Sequence, residues 1–161
     1  RRDWSSDVCS SDLVDMLNAQ DRIQGWRDAM QERGLPIDES LMFPASYTPQ
    51  GGYEAVQTMI ARGCVPRALF TSNEGQAIGA VRAFSEHQIR VPQDVALVCF
   101  NGTNQSSFHV PTLTTVRQPL REMARAAIHM LKEGQSEAQL KEFPHYLEIG
   151  ESCGCTPQSQ S

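Results

Sequence analysis

Two asparagines stand where a small polar ligand can be held. Asn73 follows the apolar run A-L-F-T-S at residues 68–72, and Asn101 follows V-A-L-V-C-F at 95–100. Each run is short and bounded by turn formers, which is the pattern of a strand buried on both faces. Such strands belong to parallel sheets, and ligands of those sheets sit beyond the carboxyl ends of the strands. A side-chain amide at that point donates and accepts at once, which suits a ligand rich in hydroxyls. Asn73 has a second role open to it, capping the helix that follows.

Catalytic chemistry has no comparable footing. The sequence contains no G-x-S-x-G turn and no phosphate loop. His87, His109, His129 and His145 are scattered without ligand spacing, and Asp28, Glu32, Glu86 and Glu122 are read as solvated charges on helix faces. Gly75 and Gly79 lie four apart and are read as close helix–sheet packing, not as a dinucleotide fingerprint. The expectation is a binding protein and not an enzyme, with no cofactor and no metal. Of the five cysteines, Cys64 and Cys99 are read as small buried hydrophobes. Cys153-Gly154-Cys155 is the only close pair; metal or redox use is open to it, and an inert pair near a chain end is the expected reading.

The elements that must position the two amides follow from periodicity. Ile23, Trp26 and Met30, joined by Ala29, form a helical stripe over residues 21–33, ended by Gly34. Residues 41–45 make a short strand. Thr48 caps and Pro49 opens a second helix, with Val56, Met59 and Ile60 buried and Gly63 at its end. The helix after Asn73 runs to about residue 87 on Ala77, Ile78, Val81 and Phe84. An extended run at 113–116 precedes a helix that begins at Pro119 and Leu120, with Met123, Ala127, Met130 and Leu131 on one side and Gly134 as its stop. Residues 135–141 are a polar loop, 143–150 a last strand and 156–161 a frayed tail. The alternation of helix and strand predicts an α/β fold, a parallel sheet flanked by helices.

Residues 1–13 are excluded from that fold. D-W-S-S-D-V-C-S-S-D-L carries four serines and three aspartates and neither period. It resembles translated sequencing-adaptor sequence; a native disordered leader is the alternative.

A chain of 161 residues, 40% hydrophobic, suffices for one domain with a sizeable core. A formal net charge of -5 without a Lys/Arg cluster lacks the footprint of a nucleic-acid binder. No apolar run approaches the ~20 residues of a membrane span, no signal-peptide pattern opens the chain, and a cytoplasmic location fits.

The longest ordered pattern is V-P-Q-D-V-A-L-V-C-F-N, followed by P-T-L-T-T-V-R-Q-P-L. It resembles the effector-binding domain of LacI/GalR-type transcription regulators. That family usually has Gly before the aromatic residue and an acid after it, where this chain has Cys99 and Asn101. The resemblance implies a type I periplasmic-binding-protein-like fold, of which the chain supplies mostly the second, C-terminal lobe. Residues 14–155 would be the effector-binding fragment. Within it, 14–113 would be the second-lobe core, 114–140 a return segment to the first lobe and 141–155 the final strand and end. The first lobe and the DNA-reading headpiece would lie outside this chain, and the helix after Pro119 would lack its own sheet.

The same resemblance implies an effector pocket. Arg22 opens the run R-I-Q-G-W that matches the family's R-x-x-G-aromatic. Asn73, Asn101, the Tyr47 ring and Asn18 would join it. On the residues alone, Arg22 is a surface cation in a helix's first turn, an unfavourable place for it, and Tyr47 is a core or surface tyrosine. The implied dimer face uses the helix after Asn73, with Ile78 and Val81, and the segment 105–110, with Ser106, Ser107, Phe108 and His109; an ordinary surface loop is the alternative. The implied function is effector sensing by a homodimeric regulator. A small polar ligand, a sugar or sugar derivative, would control operator DNA through the absent headpiece. Two rivals share the architecture: a periplasmic sugar-binding protein of a transporter, and a sensor lobe fused to another output domain.

Overall fold

The computed structural model describes residues 6–10, 17–133 and 140–155, and at 6–10, 17 and 18 it describes the backbone alone. In chain order the elements are β1 (Ser6–Ser10), α1 (Leu17–Glu32), β2 (Phe43–Pro44), α2 (Pro49–Ala61), β3 (Ala68–Thr71), α3 (Glu74–Glu86), β4 (Ala96–Phe100), β5 (Thr114–Arg117), α4 (Leu120–Lys132) and β6 (Tyr146–Glu148). Single 3-10 turns cover Glu39–Leu41, Asn104–Phe108 and Glu151–Cys153. The strands form one sheet in the order β2-β1-β3-β4-β5-β6, parallel except where β6 runs against β5.

The sheet is covered on both faces, and the strand sequences say why. On β3, Leu69 joins the cluster made by α2 and α3, while its neighbour Phe70 packs against Ile23, Trp26 and Met30 of α1. Leu97 and Cys99 of β4 share the Leu69 side. Successive strand residues point to opposite faces, so an apolar run without polar alternation fits only a strand with helices above and below.

The helices pack as their glycines dictate. An added Cβ on Gly52 would lie 2.1 Å from the Gln76 carbonyl oxygen, and one on Gly79 would lie 1.8 Å from the Pro49 carbonyl oxygen. Bare backbone at these points lets α2 and α3 touch. The expectation of helix–sheet packing is thereby corrected. Gly79 faces the first turn of α2, and Gly75 faces the loop carrying Tyr47 and Pro49.

Four further expectations change. The excluded leader contains β1: residues 6–9 pair in register with 68–71, and Cys9 and Ser10 pair with Phe43 and Pro44. A parallel ladder is made of backbone groups, so side-chain periodicity, the criterion that excluded this segment, does not register it. Next, α1 begins at Leu17 and not at residue 21, which puts Arg22 in its second turn, beyond the reach of the unfavourable dipole. Ala29 is exposed and takes no part in the buried stripe. Last, β5 pairs with β4, so a segment leaving this sheet starts after Arg117 and not at residue 114.

Helix α4 has no buried residue, and Leu120, Ile128 and Leu131 are exposed. The helix stop at Gly134, most of the polar loop and the tail at 156–161 lie outside the described residues. Among the described residues no helix is long and apolar enough to cross a membrane.

Candidate effector site

Arg22 is the hub of the strand-end region. From the second turn of α1 its Nη1 donates to the Tyr47 hydroxyl at 3.1 Å. Its guanidinium carbon stands 4.5 Å from the Phe100 ring centre and 5.9 Å from that of Tyr47. The half-buried cation thus rests between two rings, which attract it through their negative faces. This arrangement replaces the solvated surface arginine that the residues alone suggest.

Tyr47 is placed by the loop ahead of α2. Thr48 Oγ1 accepts the Gly51 N–H at 3.1 Å, the N-cap that the T-P sequence predicts. Deeper down, Gln76 has no exposed surface. Its Nε2 donates to the carbonyls of Ala45 and Ser46 at 3.0 and 3.1 Å, and its Oε1 accepts the Ser72 N–H at 3.1 Å. One buried amide therefore joins the chain leaving β2 to the chain leaving β3.

Asn73 and Asn101 each lie two residues beyond the paired Thr71 and Cys99, on the same edge of adjacent strands. Asn73 Oδ1 accepts the Gln76 N–H at 2.8 Å and caps α3; its amide nitrogen is not used in that cap. A Cβ placed on Gly75 would sit 3.3 Å from Asn73 Oδ1 and 3.4 Å from the Tyr47 carbonyl oxygen, so the two loops meet there. Asn101 adopts φ 58°, and its N–H donates to the Val116 carbonyl at 3.0 Å. Its Oδ1 is buried and accepts no hydrogen bond from the described residues. A buried acceptor left without a partner costs about 1–3 kcal/mol, so it calls for a donor from water or a ligand. Asn18 lies one turn before Arg22 on α1; its side chain is outside the described residues.

Three contributors escaped the sequence reading. Phe100 passes there as strand core. Since Leu97 and Cys99 face α2 and α3, parity alone puts Phe100 on the α1 face, where Arg22 meets it. His145 lies on the same ring, centroids 5.6 Å apart, and no sequence spacing points to it. Glu74, 7% exposed, accepts hydrogen bonds from the Thr103 N–H at 3.2 Å, from Thr103 Oγ1 at 2.8 Å and from Ser106 Oγ. Its place in the first turn of α3 favours its negative charge. From the other side, Arg117 Nη2 donates to the Thr103 carbonyl at 2.6 Å, and its Nε pairs with Glu148. The segment following Asn101 is thus held between an acid and a base.

The expected dimer residues divide. Ser106 is buried against Glu74, which removes it from any surface patch. Val81 belongs to the core and Ile78 packs on it. Ser107 is exposed and His109 half-buried, and Phe108 and the adjacent Val110 project into solvent, 87% and 86% exposed. Among the described residues no three His, Cys, Asp or Glu side chains group to hold a metal ion. The strand-end region offers a cation framed by rings, two amides and one unmet acceptor. That set can hold a flat or hydroxyl-bearing ligand by stacking and hydrogen bonds.

The family model described as "Periplasmic binding protein-like domain" matches residues 9–153. The ribose operon repressor of Escherichia coli is 32% identical over 124 residues, 77% of this chain and 38% of that protein. The HTH-type transcriptional repressor PurR of Haemophilus influenzae is 34% identical over 120 residues, 74% of this chain and 36% of that protein. Among solved structures, a sugar-binding transcriptional regulator of the LacI family from Escherichia coli, complexed with phosphate, superposes with TM-score 0.81 at 29% identity, covering 91% of this chain and 54% of that one. The chain spans little more than a third of the length of the two repressors. With its sheet order and this matched span, it belongs to the periplasmic binding protein-like domain family, in the form found in LacI/GalR-type effector-binding domains.

Proposed function

We propose that this chain is the effector-sensing part of a LacI/GalR-type transcription regulator. Its pocket would hold a small polar ligand, a sugar or sugar derivative, between Arg22, Tyr47, Phe100, Asn73 and Asn101. The observation that carries this reading is the buried, unpartnered Asn101 Oδ1 at the end of β4, beside a guanidinium held between two rings. A ligand hydroxyl satisfies that acceptor, and a ring face of the ligand replaces water on Tyr47. An amide at residue 101, where the family has an acid, takes donors and acceptors alike and adds no charge.

In the intact regulator a first lobe covers the exposed apolar side of α4, and ligand binding between the lobes closes them. Closure alters the placement of the DNA-reading headpieces in a homodimer, so ligand and operator each change the affinity for the other. The protein acts in the cytoplasm by binding, without catalysis. A solute carrier of the same architecture is the second reading. The 32–34% identity to two repressors supports the regulator, as does the L-T-T-V-R-Q-P run.

The test uses the complete regulator. Calorimetry against pentoses, hexoses and purines identifies the ligand, and fluorescence anisotropy with operator DNA reads the coupling. Arg22→Ala weakens the identified ligand by about tenfold to a hundredfold, the loss of one or two hydrogen bonds to a charged group. Unchanged ligand affinity in Arg22→Ala and in Asn101→Ala would place the pocket elsewhere. Operator binding indifferent to every ligand would remove the regulatory reading.

A further inference from the structure

The amino-terminal edge of the same sheet carries a second constellation, remote from the strand-end pocket. The turn Glu151–Cys153 is clamped over the start of β4 and β5. Ser152 is fully buried; its Oγ donates to the Leu97 carbonyl at 2.7 Å and accepts the Thr114 N–H at 2.8 Å. The Ser152 N–H donates to the Thr112 carbonyl at 2.9 Å, and Glu151 exchanges two hydrogen bonds with Thr112, each 2.9 Å. The turn is rigid without any covalent link. Immediately after it, Gly154 turns the chain back with φ 68°.

That reversal brings two thiols together. The Cys155 N–H donates to Cys153 Sγ at 3.2 Å, the Cys153 thiol donates to the Gly150 carbonyl at 3.7 Å, and the Cys155 thiol donates to the Cys153 carbonyl at 3.9 Å. Cys153 is half-buried and Cys155 exposed. We propose that Cys153 and Cys155 form a thiol–disulfide redox site that reacts with low-molecular-weight disulfides, Cys153 attacking and Cys155 resolving.

The surroundings give the two sulfurs unequal roles. Burial works to raise the Cys153 thiol, but hydrogen bonds from the Cys155 thiol, the Thr114 side chain and the Cys155 N–H outweigh it and bring Cys153 below the ordinary thiol range. The bond to Cys153 pushes the Cys155 thiol up, and slight burial and the neighbouring charge add to this. A thiolate held by N–H and O–H donors is the better nucleophile near neutral pH. Cys99 is the contrast: fully buried, it is pushed up to about 11, as an inert core thiol is. Cys99 follows its expectation as a small buried hydrophobe; for the pair at 153 and 155 the proposed reaction is the alternative to the inert pair expected from the residues.

The reaction balances within this set. The Cys153 thiolate attacks one sulfur of a disulfide RSSR; the Cys153–SR bond forms, the RS–SR bond breaks, and RS⁻ leaves and takes up the proton Cys153 released. Cys155 gives its proton to solvent and attacks Cys153 sulfur; the Cys153–Cys155 bond forms and a second RS⁻ leaves to be protonated. Two protein thiols are oxidised by two electrons, and one RSSR is reduced to two RSH.

Oxidised glutathione is the probe, applied to the whole chain, followed by acid quenching, alkylation and peptide mapping. The expected result is loss of two alkylation sites and about 2 Da from the peptide spanning residues 153–155, the mass change of disulfide formation. Cys155→Ser, a change at an exposed position, is expected to stop at a persistent Cys153–glutathione mixed disulfide. Cys153→Ser is expected to slow reaction at Cys155 by about tenfold or more, since its thiol is the poorer nucleophile. Full alkylation of both residues after oxidation would overturn the proposal, as would a Cys155→Ser variant that carries no glutathione at Cys153.

Discussion

Gln76, from within α3, donates to the Ala45 carbonyl at 3.0 Å and so fixes the end of β2 against the start of another helix. The same side chain also serves Ser46 and Ser72. The loop carrying Tyr47 and the loop carrying Asn73 are therefore positioned by one amide that touches neither side chain.

Removing that amide exposes the arrangement. Gln76→Ala removes the donor to the Ala45 and Ser46 carbonyls and the acceptor of the Ser72 N–H in a largely buried place. The expected loss is about 2–4 kcal/mol of folding stability, read by urea unfolding at constant m-value. A loss under about 0.5 kcal/mol, the scale of a neutral surface change, would show that the loops are held by other means.

Two glycines in helices respond with opposite sign. Gly79→Ala drives a methyl into the Pro49 carbonyl, a backbone atom that cannot step aside; the expected cost is about 1–3 kcal/mol, with α2 displaced. Gly25→Ala meets nothing within 4 Å and is expected to stabilise α1 by about 0.5–1 kcal/mol through helix propensity. Paired thermal melts check both, and equal signs would contradict the packing described.

Asp94 titrates well below its ordinary value of 3.8, to about 2, because the Arg90 side chain and then the Arg90 N–H hydrogen-bond its carboxylate, against a small opposing effect of burial. A depressed carboxyl pKa contributes stability that is fully present above the ordinary value and is lost as pH falls through the folded one, here between about 4 and 2. Carboxyl carbon NMR is expected to place the Asp94 midpoint near 2 in the native chain and to move it toward 3.8 in Arg90→Ala. An unmoved midpoint in that variant would remove the Arg90 side chain as the main cause and leave the Arg90 N–H.

Much of this architecture is legible in the residues because local chemistry and the global fold agree there. Thr48-Pro49 reads as a helix start and is one. The run ending in Asn101 reads as a two-faced strand and is one, and both asparagines fall at the expected edge. What stayed hidden depends on partners distant in sequence or on backbone alone. Phe100 becomes a pocket wall only when α1 is laid over β4, and Gln76 and Glu74 acquire their work from carbonyls and hydroxyls about thirty residues away. Strand β1 hides for a different reason: a ladder of backbone groups can recruit a serine-rich segment that no apolar pattern announces.

The left-handed backbone at Asn101 has a consequence for how such a pocket diversifies. At φ 58° a bulky or β-branched side chain costs about 1–2 kcal/mol before it touches any ligand, whereas Gly, Asn and Asp adopt it readily. Position 101 thus favours a short alphabet, above all no side chain, a neutral amide or a carboxylate. If the proposed effector site is right, a mutant library in search of a new specificity would find its breadth at Arg22 and Tyr47, on ordinary helix and loop backbone, and at residue 101 a choice of charge.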